Sequence, residues 1–180
     1  MRTDVPRLPK LTEEELDPGL HALRPPGPML NIFSTLANNP KLMQSWWGFA
    51  NHVILENSLP ARERELVILR VGVLSRSDYE YGQHVVMGRD AGLRDDEIAR
   101  VSTGPEAEGW SDRERALLRA TDEMHADAFA SDATWAALDF LSDEQKVDFV
   151  FTVGQYMLVS MALNTLGIQL DEGYEGLPAD

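Results

Sequence analysis

Helix-start signals recur at short intervals along this chain, and no segment between them alternates apolar and polar residues as a strand would. Asn39-Pro40 pairs an N-cap with proline at the first helical position and opens a helix predicted to run to about Glu56. Pro60 opens the next, whose stretch Glu65–Leu74 is apolar nearly all round and therefore central. Ser77 begins another, closed by Gly92 after Ala91. Arg94–Ser102 reads as a short helix. Ser111-Asp-Arg-Glu114 is a capping-box pattern that opens a helix to about Ala130. Ser131 caps a short helix, and Ser142-Asp-Glu-Gln145 opens the last long one, ending near Gly167. The expected class is all-α.

Six of the ten prolines lie in residues 1–28, a polar segment read as an arm with a short helix around Thr12–Asp17 that packs on something rather than folding alone, ahead of a helical domain formed by residues 29–180. Thirty acidic against sixteen basic residues leave a net charge of -14, which argues against nucleic-acid binding. There is no cysteine, so thiolate zinc sites, disulfides and cysteine nucleophiles are excluded. The first thirty residues contain no apolar stretch of the signal-peptide kind. Residues Phe149–Leu170 carry no charge and are long enough to span a bilayer, but they hold Thr152, Gln155, Ser160, Asn164, Thr165 and Gln169 and are followed by Asp171 and Glu172. A buried or interfacial helix fits better. The expectation is a cytoplasmic protein with no membrane partner.

The chain also repeats itself. Leu59–Gly72 aligns with Leu141–Gly154; both begin with leucine and a helix-start residue and place Val-Gly at the same offset. This suggests two related helix hairpins packed together. Continued without a gap, the alignment sets Glu65, Ser77, Glu80 and His84 of the first copy against Val147, Val159, Ala162 and Leu166 of the second. A polar set present in one copy only points to a site.

In that first hairpin Glu65 lies about ten residues before the expected turn and His84 about eight after it, so at roughly 1.5 Å per residue they stand at similar heights on antiparallel helices. Glu80 and His84 are i, i+4 neighbours. Two carboxylates, an imidazole and the phenols of Tyr79 and Tyr81 can thus converge. A carboxylate that orients one imidazole nitrogen leaves the other for acid–base work. Each residue also has a plainer role: Ser77-x-x-Glu80 is itself a capping-box pattern, and Glu65 can pair with Arg62, Arg64 or Arg70. No phosphate loop, nucleophile elbow or metal-ligand motif is present, and neither metal nor cofactor is expected.

The stretches Leu59-Pro-Ala-Arg-Glu-Arg-Glu-Leu-Val-Ile-Leu-Arg70 and Tyr79-Glu-Tyr-Gly-Gln-His-Val-Val-Met-Gly-Arg-Asp-Ala-Gly-Leu93 resemble the carboxymuconolactone decarboxylase and alkylhydroperoxidase D superfamily. Asp112–Glu123 and Val153–Gly167 resemble its C-terminal half, so the likeness runs from about Asn39 to Glu172. The resemblance implies a helical bundle, assembled as trimers or hexamers. In the peroxidase branch the motif is Glu, eleven residues, Cys-x-His-Cys, three residues, His. Glu65 and His84 match its ends, while Ser77 and Glu80 stand at the cysteines and Tyr79 at the first histidine. A disulfide-forming peroxide cycle therefore cannot run. The decarboxylase branch fits the surviving carboxylate–imidazole pair, and implies a cofactor-free lyase acting on a small carboxylated lactone or related cyclic acid. In that reading Glu65, Glu80 and His84 are catalytic, Ser77, Tyr79 and Tyr81 contact substrate, and Arg76 or Arg70 offsets the acidic field for an anionic substrate. The rival is a non-catalytic ligand-binding or oligomeric module of the same fold.

Overall fold

The computed structural model describes residues 2–23 and 27–178, so residues 24–26 of the arm and the last two residues of the domain lie outside the described set. Eight α-helices account for the described domain: α1 (Asn31–Leu36), α2 (Pro40–Asn51), α3 (Ala61–Leu74), α4 (Asp78–Asp90), α5 (Asp95–Val101), α6 (Asp112–Asp127), α7 (Asp132–Ala136) and α8 (Asp143–Leu166). No strand occurs among the described residues. The chain is all-α, as expected.

The caps act where the sequence puts them. The Asn39 side chain accepts from the Leu42 N–H at 3.1 Å, and α2 continues through a π-helical turn at His52–Glu56. Ser111 with Glu114 and Ser142 with Gln145 form reciprocal capping boxes at the starts of α6 and α8. Gly92 closes α4 with φ +96°, a backbone state that costs a glycine little.

Helix α3 is the axis of the bundle, packed along α4, α6 and α8, with Glu65–Gly72 buried without interruption. On one side Val67, Ile68 and Val71 meet Leu117 and Ala120 of α6 and Phe149 and Val153 of α8. On the other, Leu66 and Leu69 meet Tyr81, Ile98, Val101 and Trp110. A methyl group at Gly72 would stand 3.4 Å from the Tyr81 backbone nitrogen, an ordinary van der Waals contact, so α4 lies close on α3 without requiring glycine there. The arm packs down rather than standing free: Leu16 and Leu20 bury themselves with Ala37 and Met43, and its short helix near Thr12 is a single 3₁₀ turn, Glu13–Glu15.

The second copy of the repeat behaves differently beyond its helix start. Val147, Val159, Ala162 and Leu166 all lie on α8, which runs unbroken where the first copy turns between α3 and α4. The helix-start half of the repeat is thus shared, whereas the turn is confined to the first copy. Long and apolar enough to cross a membrane, α8 nevertheless packs along α3 and buries Asp148, Thr152, Gln155 and Ser160.

Candidate active site

Glu65 enters the interior on the second turn of α3, with none of its surface exposed. Opposite it, α4 presents His84, and the Glu65 carboxylate meets His84 Nδ1 at 2.6 Å. One turn earlier on α4, Glu80 meets the other ring nitrogen, Nε2, at 3.0 Å. From α8 the Tyr156 ring stands edge-on to the imidazole, 4.9 Å between centroids and 86° between planes. Arg64 lies against the outer face of Glu65, its guanidinium 3.2 Å from Oε1. Three helices thus hold one imidazole between two carboxylates and an aromatic edge.

The balance of forces on His84 follows from that placement. Burial favours the neutral ring, but the charge and hydrogen bond of Glu65, joined by those of Glu80, outweigh it and raise the pKa to about 9. At neutral pH the ring is an imidazolium that donates to a carboxylate from each nitrogen. For Glu65, burial pushes upward, yet the His84 charge and hydrogen bond, with Arg64 behind them, hold the carboxyl below its usual range. Burial near Glu80 and Glu65 keeps the Tyr156 phenol protonated.

A half-open cavity of about 540 Å³ adjoins this cluster. Phe33, Trp46, Trp47, Ile54 and Met87 stand in its apolar wall, and Asn51, Tyr79, Glu80, Gln83, His84, Gln155 and Tyr156 bring polar groups to it. Glu65 does not reach the wall; it acts through His84. No three His, Asp or Glu side chains among the described residues are placed to hold a metal ion, and the two carboxylates here are turned to opposite edges of one ring.

The remaining residues singled out from sequence divide. Tyr79 borders the cavity, but its hydroxyl donates to Asp171 and accepts from the Ile32 N–H at 3.3 Å, so it ties the chain's C-terminal segment and α1 to α4. Tyr81 is not a cavity residue; it lies in the core with Leu66 and Trp110. The reason is helical geometry: at about 100° per residue, positions 79 and 81 face opposite sides of α4. Ser77 is fully buried at the N-cap of α4, away from the wall, and its hydroxyl has no protein partner. The capping box that Ser77-x-x-Glu80 suggests does not form, because Glu80 turns to His84 instead.

Neither arginine expected to meet an anionic substrate does so. Arg70 is buried against Asp122, with Nε at 2.6 Å and Nη2 at 2.8 Å, and Arg76 is exposed at the α3–α4 turn. The sequence reading missed Gln155 and Tyr156, whose only local sign was polarity in an apolar helix. The helix bearing Trp46 and Trp47 also walls the site.

Residues 40–123 match the sequence pattern of the carboxymuconolactone decarboxylase family. No curated protein matches the chain. Among solved structures, the alkylhydroperoxidase AhpD core, an uncharacterized peroxidase-related protein from Ralstonia eutropha JMP134, superposes with a TM-score of 0.81 at 20% identity, over 94% of both chains. A putative antioxidant defence protein AhpD of unknown function from Agrobacterium tumefaciens gives 0.70 at 23%, over 76% of this chain and 94% of that one. A cysteine-to-alanine variant of the debrominase Bmp8, solved in complex with 2,3,4-tribromopyrrole, gives 0.77 at 14%, over 96% and 94%. At these identities the likeness carries the fold alone. Residues 40–123, which hold Glu65, Glu80 and His84, thus carry the sequence pattern of the carboxymuconolactone decarboxylase family, in a cysteine-free chain with the alkylhydroperoxidase D-like helical fold.

Proposed function

We propose that this chain is a cytoplasmic acid–base enzyme of the carboxymuconolactone decarboxylase type, a lyase that moves protons at carbon in a small unsaturated ring. The observation that carries the reading is the buried Glu65–His84–Glu80 array on the wall of an apolar cavity. Glu80 takes or gives the proton at the substrate, and His84 holds Glu80 and spreads the charge toward Glu65. When a C–H bond breaks, its electron pair enters the ring as an enolate and the proton passes to Glu80. In a decarboxylation the C–C pair stays on the ring, carbon dioxide leaves, and the His84 imidazolium gives up its Nε2 proton, relayed by Glu80 to carbon, becoming a neutral imidazole. In both, the imidazolium lies close to the developing negative charge and favours it. Glu65 is a positioning residue.

The thiol-dependent peroxide cycle has no nucleophile here. Exposed Val147, Phe151, Leu158 and Met161 on α8 support assembly into a homo-oligomer, the trimer or hexamer that the family resemblance implies, and light scattering at micromolar concentration checks it. The catalytic reading is tested by NMR in deuterium oxide with small unsaturated lactones and cyclic acids, following deuterium incorporation and carbon dioxide release. Turnover by wild type and its loss in His84→Ala are expected. Substrates that bind without exchange or release would instead mark a non-catalytic binding module.

A further inference from the structure

The wall of the cavity carries the Glu80 carboxylate, the unpartnered Gln155 carboxamide oxygen and one unpartnered buried donor, the Trp46 indole N–H, while the cations close to it are already committed. Glu80 is 4% exposed and faces both the cavity and His84. Both ring nitrogens of His84 are taken by carboxylates, and the Arg64 guanidinium, close to the cluster, lies on Glu65 rather than on the wall. Among the described residues no Lys or Arg lines the cavity. Gln155 is 5% exposed, and its carboxamide oxygen is buried with no partner in the protein. Such an acceptor is destabilising until a donor reaches it. The rest of the wall is largely aromatic and aliphatic, with the rings of Phe33, Trp46 and Trp47 flanking the space.

These observations bear on ligand charge. An anion entering here would leave its hydration shell for an apolar wall and stand beside the Glu80 carboxylate, with no Lys or Arg among the described wall residues to receive it. A neutral ring loses little hydration, and an N–H or O–H on its edge satisfies Glu80 or Gln155. We infer that the cavity selects an uncharged, flat unsaturated ring bearing an N–H or O–H donor, rather than the carboxylated acid that the family resemblance implies. This narrows the acid–base reading to its proton-transfer branch on a neutral ring, in place of decarboxylation, and rests on that reading only for which edge of the ring faces Glu80.

Titration calorimetry at pH 7 with three compounds of one size separates the terms: p-cresol is neutral with a donor, p-methylanisole is neutral without one, and p-toluate is anionic. Wild-type protein is expected to bind p-cresol at least about tenfold more tightly than p-toluate. It should also prefer p-cresol to p-methylanisole by a few-fold. Glu80→Gln, which keeps the shape and removes the charge, should narrow the gap between p-cresol and p-toluate. Equal or tighter binding of p-toluate by wild type, or no binding of any of the three at millimolar concentration, would overturn the inference. These titrations involve no turnover. Enzymatic release of carbon dioxide from a carboxylated lactone, together with tight p-toluate binding, would refute the charge selection and leave the acid–base reading standing. Selective p-cresol binding without proton exchange on any ring would do the reverse.

Discussion

Two histidines in this molecule are built to the same plan. Each has a glutamate one helical turn away and an acid from a distant helix: Glu80 and Glu65 for His84, Glu56 and Asp148 for His52. Around His84 the side chains are almost sealed, with 6% of the imidazole, 1% of Glu65 and 5% of Glu80 exposed. Around His52 the figures are 43%, 12% and 66%, and the glutamate stands off at 3.6 Å. Both imidazoles are raised. The His52 hydrogen bond to Asp148 leads the upward pull there, while at His84 the two carboxylates must first overcome a heavy burial cost. The difference teaches that the residue pattern alone does not make a site. Screening by water makes the His52 cluster a tether for the π-turn, while its absence makes the His84 cluster a charged array beside a cavity.

The largest expected effect comes from breaking the buried array. In Glu65→Gln the imidazolium loses its closest counter-charge, and the His84 pKa should fall from about 9 by roughly 1–3 units. An NMR titration of the ring reads this directly. Superimposable curves for wild type and variant would mean that the 2.6 Å contact does not govern the ring. Removal of one partner of a buried pair costs about 3–5 kcal/mol when the other stays charged. Here part of that cost is relieved, because His84 can release its proton.

Next in size is the pH dependence of stability. His84 moves from 6.5 when unfolded to about 9 when folded, so its charge-linked stabilisation is complete below about pH 6.5 and is lost as pH rises through about 9. Glu65 works in the opposite direction: its contribution is present above the usual carboxylate value of 4.5 and fades as pH falls through the lowered folded value. The wild-type melting temperature should therefore decline across the alkaline window, and Glu65→Gln should flatten that decline. An equally steep alkaline decline in the variant would assign the effect to other groups.

Much of this architecture was legible because it is local. Caps at Asn39, Ser111, Ser131 and Ser142 depend on a residue and its neighbours three positions on, and all four form. The Glu65–His84 contact was legible because two antiparallel helices joined by a short turn fix relative height. Side-chain competition was not. The same Ser-x-x-Glu pattern makes a capping box at Ser111 and none at Ser77, since at Ser77 the glutamate has a buried imidazole to meet. Nor was the α8 wall, because Gln155 and Tyr156 reach the site only through the packing of a helix more than sixty residues later in the chain.

That competition gives a smaller test. Ser111→Ala removes a working cap and should cost about 1 kcal/mol. Ser77→Ala deletes a buried hydroxyl that has no protein partner and should cost no more than about 0.5 kcal/mol, or even stabilise. Denaturant melts of the two variants compare them, and a cost at Ser77 as large as at Ser111 would show a bond from that hydroxyl.

The smallest effect belongs to the half-buried histidine. His52 Nε2 lies 3.0 Å from Asp148, but Asp148 also accepts the Ser58 N–H at 2.6 Å, so the turn keeps an anchor when the imidazole is removed. An ion pair this open to water contributes about 0–1 kcal/mol and weakens as salt shortens the Debye length. His52→Gln should therefore shift the melting temperature only slightly at low ionic strength, and near 1 M salt the variant and wild type should coincide. The same salt should leave the His84 titration almost unmoved, because no solvent stands between that ring and its carboxylates. If salt lowers both imidazole pKa values equally, burial is not what separates the two clusters.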